Sequence, residues 1–546
     1  AGAGGLWNSF ARKSGVLTQG GTAVHPIAAG DTFELRLEGN SDGYAAKFGS
    51  EAAITGGFDF KLTSIDPDYV YVGMFAARNA DVTFSDIKLV VDGAEVTAGD
   101  TDPPTQTPDT TAPADPNSTK DRELRKYALE GYAAARGVTG GGLLQEESNR
   151  YYKVSTAEQL LKALAEAKSS GKASVIELTQ DIAMGSKEIG AAITQYNSLI
   201  KPHSNQPLLH PTLLQTGVST LQISGMNHVT IFSKHGAKLT HVTIDIRNSS
   251  NIIIRNLVFD ELWEWDEATH GDYDRNDWDY ITIQEGSTGI WIDHSTFYKA
   301  YDGIVDVKKA GSAATSDVTI SWSRFLPGSQ GPFFDAMMDL LEANPEQYPY
   351  YHELLTAHGM SKDQVRQFAA AQKKTHLIGA SDTEANTANL RITLANNYYK
   401  NSMDRMPRVR KGAAHVYNTI MDATELYHLR NTLSDEYALS KVVSNGAIST
   451  QGASVLLENT RISGIHNALL SGNGSSPAGY IGALNSVYDM NGAETELTVT
   501  DSTYAGLVLN IDAFKQALPY SNNLYDARTL DASVLPYTGA GAVSMS

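Results

Sequence analysis

A short apolar pattern recurs six times between residues 252 and 462, and it restricts the possible folds more than any other feature. Each copy has an apolar residue, any residue, a second apolar residue, any four residues and a third apolar residue. The copies read IIIRNLVF, IWIDHSTF, VTISWSRF, ITLANNYY, AHVYNTIM and VLLENTRI. Their middle residues are 254, 292, 320, 394, 416 and 457, so the shortest step is 22 residues and the others are longer and irregular. The pattern predicts units of one size separated by loops of variable length.

Units of this kind predict a parallel β-helix. Each has a short strand, a bend and a second apolar anchor, so stacked units bury a continuous interior and align parallel strands. A doubly wound sheet would need a helical pattern of ~10–15 residues between strands, which most intervals lack. A β-propeller would give antiparallel blades of more even length. We therefore expect an all-β chain built on a right-handed parallel β-helix.

One interval departs from this pattern and predicts a helical insertion at about residues 328–372. It contains FFDAMMDLLEANPEQYPYYHELLTAHGMSKDQVRQFAAAQ, whose apolar spacing is helical, with breaks at Pro345, Pro349 and Gly359. Two or three short helices are expected here. They could form a cap on the flank of the solenoid, or a wall or lid over an active cleft.

A segment rich in Pro, Thr and Asp divides the chain into two domains. Residues 97–119 read TAGDTDPPTQTPDTTAPADPNST, which cannot bury enough apolar surface to fold and predicts an extended linker. Residues 1–96 alternate apolar and polar residues, as in FELRLEG, GFDFKL, YVYVGMF and VTFSDIKLVV, and predict a small β-sandwich. This module could bind carbohydrate or serve as a spacer. The β-helix is expected at residues 120–546.

Composition excludes several classes of protein. The chain has 43 Lys and Arg against 62 Asp and Glu, a net charge of −19, which argues against a nucleic-acid partner. No apolar stretch approaches the ~18 residues of a membrane span. The absence of Cys excludes disulfides, thiolate metal sites and cysteine nucleophiles. If the partner is a polyanion, a basic cleft or a bridging cation must overcome the net repulsion.

Three carboxylates near consecutive units form a candidate metal site. Asp279 lies in DWDYITI, and Asp302 and Asp306 lie in DGIVDVKK, where Gly303 permits a turn that brings the last two together. Stacking of the units could place Asp279 beside them. Oxygen ligands without His or Cys favour Ca²⁺ over zinc or copper. The alternative is that each Asp caps a turn.

Five cations in two short segments contrast with the acidic average. They are Lys374 in KKTHLIGASD, and Arg405, Arg408, Arg410 and Lys411 in DRMPRVRK. They could be a solvated basic edge, but beside carboxylates they suggest a site for an acidic ligand, because Arg grips carboxylates bidentately.

Two further motifs have structural as well as functional interpretations. Trp263 and Trp265 in ELWEWDE could stack on sugar rings or anchor their loop. Asp293 and His294 fall within the repeat and are expected to pack or hydrogen-bond in the solenoid.

The motifs together resemble the bacterial pectate lyase family, polysaccharide lyase family 1 of the pectin lyase-like superfamily. The resemblance rests on DWDYITIQEGSTGIWIDHSTF, DGIVDVKKAGSAATSDVTISWSRF, KTHLIGASD and RITLANNYYKNSMDRMPRVRKGAAHVYN, in that order. It extends from GVTGGG near residue 137 to PYTGAGAV near the end of the chain. Two stretches depart from the family: the helical insertion stands where an HDK sequence is usual, and Ala395-Asn396 replaces a histidine-rich stretch.

The resemblance implies a calcium-dependent, secreted enzyme that cleaves homogalacturonan by β-elimination. It assigns Asp279, Asp302 and Asp306 to Ca²⁺, Lys374 and Arg410 to substrate carboxylates, and Arg405 to proton removal. Arg405 would be a base only with a lowered pKa, so activity is expected to rise at alkaline pH. We expect a monomer whose partner is polygalacturonate or pectin, and the initial AGAGG has no features of a signal peptide.

Three other functions stay open. A polygalacturonase-like hydrolase would use the same fold, although GHG and RIK segments are not found in the sequence. A pectin lyase would work without Ca²⁺ on esterified polymer, which the three retained Asp residues argue against. A non-catalytic polysaccharide-binding solenoid is the third.

Overall fold

The computed structural model describes most of the chain as two compact units. The described residues are 7–13, 16–23, 34–39, 43–50, 52–57, 90–91, 94–95, 125–203 and 207–545. One unit falls within Ala1–Pro113 and the other within Ala114–Ser546. The predicted domain limits at 96/97 and 119/120 lie outside the described residues, and so does the predicted linker.

The N-terminal unit contains antiparallel strands. Among its described residues are two antiparallel hairpins, Trp7–Lys13 with Val16–Ala23 and Val90–Val91 with Ala94–Glu95. A three-stranded antiparallel sheet is formed by Leu35–Gly39, Gly43–Phe48 and Ile54–Gly57. The predicted strand FELRLEG overlaps Leu35–Gly39. The predicted strands at 57–62, 69–75 and 82–91 lie largely outside the described residues.

The second unit is a solenoid of three parallel strips of strand, here called sheets A, B and C. Each turn, or rung, contributes a strand to C, then to A, then to B. Sheet A contains Ser174–Leu178, Asn227–Phe232, Ser250–Arg255, Thr288–Asp293, Val318–Ser321, Arg391–Ala395, Ala413–Tyr417, Ser454–Glu458 and Tyr480–Met490, with Tyr151–Val154 at its edge. Sheet B contains Ile182–Ala183, Lys238–Thr240, Val258–Asp260, Thr296–Phe297, Arg324–Phe325, Tyr398–Lys400, Ile420–Asp422 and Arg461–Ser463. Sheet C contains Ser219–Ser224, Val242–Arg247, Ile281–Gln284, Val305–Val307, Leu377–Ile378, Arg408–Arg410, Asn445–Thr450 and Asn467–Ser471.

Antiparallel pairing closes both ends of this arrangement. Ile200–Pro202 pairs with the first strand of sheet C, and Ala493–Val499 pairs with Tyr480–Met490, which also joins sheets A and B. Asp501–Tyr504 and Leu507–Asn510 form a hairpin. Outside the insertion, the helices are Gly131–Arg136, Ala157–Ser170, Ala192–Gln195, Pro211–Thr216, Thr424–Asn431, Glu436–Lys441, Ile511–Ala517 and Leu530–Ser533, with short 3₁₀ turns at Thr387–Asn389, Ala527–Thr529 and Leu535–Tyr537. Among the described residues, no helix has the length and apolar character needed to cross a bilayer.

The six predicted repeats stack in the register that their pattern requires. Position by position they form three buried columns: Ile252, Ile290, Val318, Ile392, Ala414 and Val455; Ile254, Ile292, Ile320, Leu394, Val416 and Leu457; and Phe259, Phe297, Phe325, Tyr399, Met421 and Ile462. Four aromatic rings open the third column, with successive centroid distances of 4.7, 5.4 and 4.5 Å. This continuous apolar interior confirms the predicted all-β class and the parallel β-helix.

The corner between sheets A and B repeats a left-handed residue in seven successive rungs. The residues are Asn256, His294, Trp322, Asn396, Asn418, Asn459 and Asn485, with φ between 42° and 58°. Asn tolerates this conformation better than most residues, which explains its prevalence here. His294 and its neighbour Asp293 are fully buried and hydrogen-bonded to each other at 2.7 Å, which confirms their structural role.

The corner between sheets B and C carries the long excursions of the solenoid. Residues 261–280, 326–376 and 423–444 leave the rungs there. The second excursion holds the predicted insertion, whose helices are Phe333–Ala343, Pro349–Thr356 and Lys362–Ala370, with a 3₁₀ turn at Pro345–Gln347. Its helical nature is confirmed, and its position places it beside the edge where the strands of sheet C begin.

Candidate active site

The predicted site residues lie along one edge of sheet C. Asp279 precedes Ile281–Gln284, Asp306 lies within Val305–Val307, Lys374 precedes Leu377–Ile378, and Arg405 precedes Arg408–Arg410. These four strands are consecutive neighbours in sheet C. Parallel strands begin at the same edge of a sheet, so residues far apart in sequence form one row on the surface.

Buried Asp279 is the centre of the acidic group. It accepts hydrogen bonds from the backbone N–H of Gly303, at 2.7 Å, and from the hydroxyl of Thr282, at 2.9 Å. Asp277, Asp279 and Asp302 each offer a carboxylate oxygen, and these three oxygens lie within 4.8 Å of one another. Asp279 and Asp302 were predicted as site residues, whereas Asp277 was not, although Asp277 stands two residues before Asp279 in DWDYITI.

Asp306 meets Asp279 at Gly303. A Cβ atom on Gly303 would lie 2.5 Å from Asp306 Oδ1 and 2.7 Å from Asp279 Oδ1, so the absence of a side chain at Gly303 is what lets both carboxylates approach the backbone here. Asp306 Oδ1 also accepts a hydrogen bond from Leu377 N at 2.9 Å. The structure thus places the other two predicted carboxylates, Asp302 and Asp306, beside Asp279, with Asp277 as a fourth member of the group.

Burial and mutual repulsion disfavour the charged forms of these carboxylates. Burial, reinforced by the charge of Asp279, raises the pKa of Asp302 to about 6 and that of Asp306 well above its ordinary value. Keeping both ionised at neutral pH costs free energy unless a cation lies among them. A donor set made only of carboxylate oxygens suits a hard cation such as Ca²⁺.

Lys308 is a second residue that the sequence analysis missed. Its ammonium group lies 2.7 Å from Asp277 Oδ1 and 2.7 Å from Asp279 Oδ2. Burial would lower the pKa of Lys308, but the neighbouring carboxylates, Asp279 first, raise it above its ordinary value. The signal was present in DGIVDVKK, because Lys308 follows Asp306 by two positions and strand residues two apart point to the same side.

Lys374 joins the acidic group to the basic one. Its Nζ lies 3.0 Å from Asp302 Oδ1 and 2.6 Å from Asp274 Oδ1, and donates to the carbonyl of Tyr273 at 2.9 Å. The positive charges of Lys374 and Arg405 both act on Asp302 and oppose the rise in its pKa. The cations predicted for an acidic ligand therefore lie beside the carboxylates predicted for a metal.

Arg405 has the least engaged guanidinium of the basic group. Its backbone is left-handed, with φ of 66°, and its Nε is buried with no hydrogen-bond partner among the residues the structure describes. The nearest carboxylate oxygen belongs to Asp404 at 3.7 Å. An arginine without a close partner can donate its N–H groups to a ligand, and it can act as a base once it has lost a proton.

Arg408 and Arg410 share one face of their strand, as predicted, and an internal bridge holds them. Arg410 Nε lies 2.8 Å from Asp382 Oδ1, and Arg410 Nη1 donates to the carbonyl of Gly379 at 2.7 Å. Ser476 Oγ lies 3.1 Å from both oxygens of Asp382 and accepts from Arg408 Nη2 at 3.0 Å. Burial and the charges of Arg410 and Arg405 lower the pKa of Arg408 to about 10.

The loop at 261–280 supplies a carboxylate to each of three lysines. Besides Lys374 with Asp274 and Lys308 with Asp277, Lys441 Nζ lies 3.2 Å from Asp272 Oδ1. One loop thus sets the positions of cations from three separate segments of the chain.

The helical insertion supports this loop from behind. Trp263 stacks on Phe334 at 5.1 Å between centroids, Trp265 on Tyr350 at 5.4 Å, and His270 on Tyr350 at 4.7 Å. Both tryptophans are 2% exposed, so they anchor the loop and are not platforms for sugar rings. The insertion forms the outer wall of the loop that borders the site.

Comparison with known proteins matches this arrangement to one family. The family model described as pectate lyase matches residues 122–330 and 365–542. Pectate lyase B of Paenibacillus amylolyticus is 47% identical over 348 residues, which cover 62% of this chain and 86% of that protein. A pectate trisaccharide-lyase of Thermotoga maritima is 30% identical over 201 residues, covering 36% and 40% of the two chains. The solved structure of the pectate lyase pelN from Paenibacillus sp. 0602 superposes with a TM-score of 0.68 at 39% identity, covering 77% of this chain and 97% of that one.

The solenoid and these matches define the protein as a lyase of the parallel β-helix class. The chain belongs to the pectate lyase family, and its enzymatic activity is that of a pectate lyase. This confirms the resemblance found in the sequence and favours the lyase over the hydrolase and the non-catalytic solenoid. Residues 331–364, the greater part of the helical insertion, fall outside the matched ranges.

Proposed function

We propose that this enzyme cleaves de-esterified homogalacturonan by calcium-assisted β-elimination and releases 4,5-unsaturated oligogalacturonides. The observation that carries the proposal is that carboxylates and cations from Asp279 to Arg410 stand on four consecutive strands of sheet C, with carboxylates 2.7, 3.0 and 2.8 Å from Lys308, Lys374 and Arg410. An acidic chain needs such a row to hold an acidic polymer.

We assign the metal to Asp279, Asp302 and Asp306, with Asp277 as a further ligand. The close oxygens of Asp277, Asp279 and Asp302, the approach of Asp306 to Asp279 at Gly303 and the all-oxygen donor set support this assignment. When bound, Ca²⁺ would neutralise the carboxylates of both protein and substrate and acidify the hydrogen on the carbon next to the substrate carboxylate.

Lys374 and Arg410 would orient the substrate through its carboxylates. Lys374 lies between Asp274 and Asp302, so its ammonium group is already turned toward the acidic group. Arg410 has Nε and Nη1 engaged within the protein, which leaves Nη2 as the nitrogen to face a ligand. The bridge through Asp382 would hold that nitrogen in a fixed direction.

Arg405 would remove the proton from C5 of the galacturonate. The electron pair of the broken C–H bond forms the C4–C5 double bond, the C4–O bond to the preceding sugar breaks, and the departing oxygen takes a proton from water. A guanidinium can accept a proton only after losing one, so the rate should rise toward alkaline pH. The buried Nε of Arg405, which has no hydrogen-bond partner among the described residues, supports this role.

One assay tests the mechanism. Polygalacturonate is incubated with the native chain in Ca²⁺, with the native chain in chelator, and with Arg405→Ala in Ca²⁺, and the ultraviolet absorbance of unsaturated product is followed. We expect product in the first mixture alone. Reducing ends without unsaturated product would indicate a hydrolase, and full turnover in chelator would refute the metal assignment.

We further propose that the enzyme is a secreted monomer organised as residues 1–96, 97–119 and 120–546. The N-terminal unit would bind carbohydrate, which is supported by its antiparallel strands and by its place ahead of a catalytic solenoid. Gel filtration tests the monomeric state, which elution as a dimer would refute. Retention of isolated residues 1–96 on a polygalacturonate column tests carbohydrate binding, which absence of retention would refute.

A further inference from the structure

Gln372 holds together the two segments that carry Asp302 and Lys374. Its side chain is 2% exposed. The amide nitrogen donates to the carbonyl of Asp302 at 2.7 Å and to the carbonyl of Lys374 at 2.5 Å. The amide oxygen accepts from the backbone N–H of Ala300 at 2.9 Å. One buried side chain thus fixes the backbone of a residue of the acidic group against the backbone of a residue of the basic group.

Two further contacts join the same segments on either side of this amide. The buried Lys299 donates from its ammonium group to the carbonyl of Ala371. At the other end, Lys374 Nζ lies 3.0 Å from Asp302 Oδ1. The two segments are therefore linked at three places, and the amide of Gln372 is the middle one.

The backbone of Gln372 extends this linkage to the next rung. Its N–H donates to the carbonyl of Asn401 at 3.1 Å, and its carbonyl accepts from the N–H of Met403 at 2.8 Å. The segment reached in this way continues to Arg405, the proposed base. Gln372 thus connects three consecutive rungs at the edge where the proposed metal, substrate and base meet.

The separation of Asp302 and Lys374 matters because the two residues are assigned to different ligands. Asp302 would hold Ca²⁺ and Lys374 a substrate carboxylate, so the spacing of their backbones sets the spacing of the two ligands. Groups with such roles must be held within about 0.5 Å of their working positions. The side chain of Asp302 is short, so a shift of its backbone displaces the carboxylate by a similar distance.

We propose that Gln372 is a positioning residue that sets the distance between the bound Ca²⁺ and the substrate carboxylate. This inference rests on the proposed function and deepens it. The amide nitrogen of Gln372 has two N–H groups and donates to two backbone carbonyls, so Gln372 acts through Asp302 and Lys374 and not by contact with either ligand. Loss of the amide should therefore weaken the binding of metal and of substrate together.

The test uses Gln372→Met, which keeps the length of the side chain and removes its three hydrogen bonds. Asn397→Leu is the matched control. Asn397 is also a buried amide that joins two rungs, because it accepts from Ser323 N at 2.8 Å and donates to the carbonyl of Ile320 at 2.9 Å, but it lies at the corner between sheets A and B. The Kd for Ca²⁺ is measured by calorimetric titration without substrate, and KM and kcat are measured on polygalacturonate at saturating Ca²⁺.

In Gln372→Met the Kd for Ca²⁺ should rise about tenfold, the smaller of the losses usual when a residue that supports a metal ligand is removed. KM should also rise about tenfold with kcat within about twofold of native, because Lys374 would bind substrate and transition state alike. Asn397→Leu should lower the midpoint of thermal unfolding as Gln372→Met does, and leave Kd, KM and kcat native. Gln372→Asn, whose amide is one methylene too short to reach both carbonyls, should show the same two rises to a smaller extent, and it replaces Gln372→Met if that variant fails to fold.

Unchanged constants in folded Gln372→Met or Gln372→Asn would overturn the proposal. A rise in only one of Kd and KM would also overturn it, and so would equal rises in Asn397→Leu, which would indicate a general loss of rigidity. Failure of the proposed function is a separate result. A native chain that gives no unsaturated product refutes the elimination mechanism, whereas product from the native chain with native constants in the Gln372 variants refutes only the role of Gln372.

Discussion

Replacing Gly303 by alanine should disable the metal site while leaving the fold intact. The φ of Gly303 lies outside the left-handed region, so the backbone accepts alanine, but the new methyl group would stand 2.5 Å from Asp306 Oδ1 and 2.7 Å from Asp279 Oδ1. Ordinary contact begins at 3.4 Å. Both carboxylates would have to retreat by roughly 0.8 Å, which exceeds the spread of about 0.3 Å in Ca²⁺–oxygen distances.

The expected loss is large and measurable. Displacement of two ligands should raise the Ca²⁺ concentration for half-maximal activity by at least about 100-fold, or about 2.7 kcal/mol. The assay follows unsaturated product in buffered free Ca²⁺, with calorimetric titration of the metal as an independent readout. Gly311→Ala is the control, because its Cβ would first meet an atom at 3.4 Å. A calcium dependence in Gly303→Ala within about twofold of native would refute the placement of the metal between these carboxylates.

Three further predictions follow from contacts in the solenoid. Arg405→Ala should lower kcat by about 10²–10⁴-fold while calcium titration and thermal unfolding stay native; a smaller loss would exclude it as the base. Burial lowers the pKa of His241, but hydrogen bonds to two glutamates raise it to about 9. The contribution of His241 to the free energy of unfolding is therefore complete below pH 6.5 and is lost as the pH rises past 9. Urea unfolding should show a loss of up to about 3 kcal/mol across this window, and His241→Gln should remove the slope. Phe297→Ala, within the aromatic column, should destabilise the protein by about 3–5 kcal/mol in thermal unfolding, and a cost below about 1 kcal/mol would mean that the column repacks.

The fold was predictable because a solenoid imposes one period on its buried positions. Ile254, Ile292 and Ile320 follow each other in adjacent strands, as their places in the repeat required. The three predicted carboxylates came together for the same reason, since each stands near the beginning of a sheet C strand.

Contacts made by the excursions could not be derived from that period. Asp274 reaches Lys374 through the path of a loop in which no apolar repeat marks the positions, and Asp382 reaches Arg410 from a segment that lies outside the strands. The roles of Trp263 and Trp265 depended on the insertion that covers them. Such pairings depend on tertiary packing and need the three-dimensional structure.

The excursion at residues 326–376 shows that the rim of this enzyme can be rebuilt without disturbing its frame. Phe325 still pairs with Tyr399, and Val307 with Ile378, across the point where the long segment departs and returns. The entropic cost of closing a loop rises only slowly with its length. Added helices therefore lower the free energy of unfolding little when their ends emerge from neighbouring rungs. Changing residues 331–364 would leave this strand pairing in place, but it would also remove the support of the loop at 261–280, which pairs with Lys308 and Lys374.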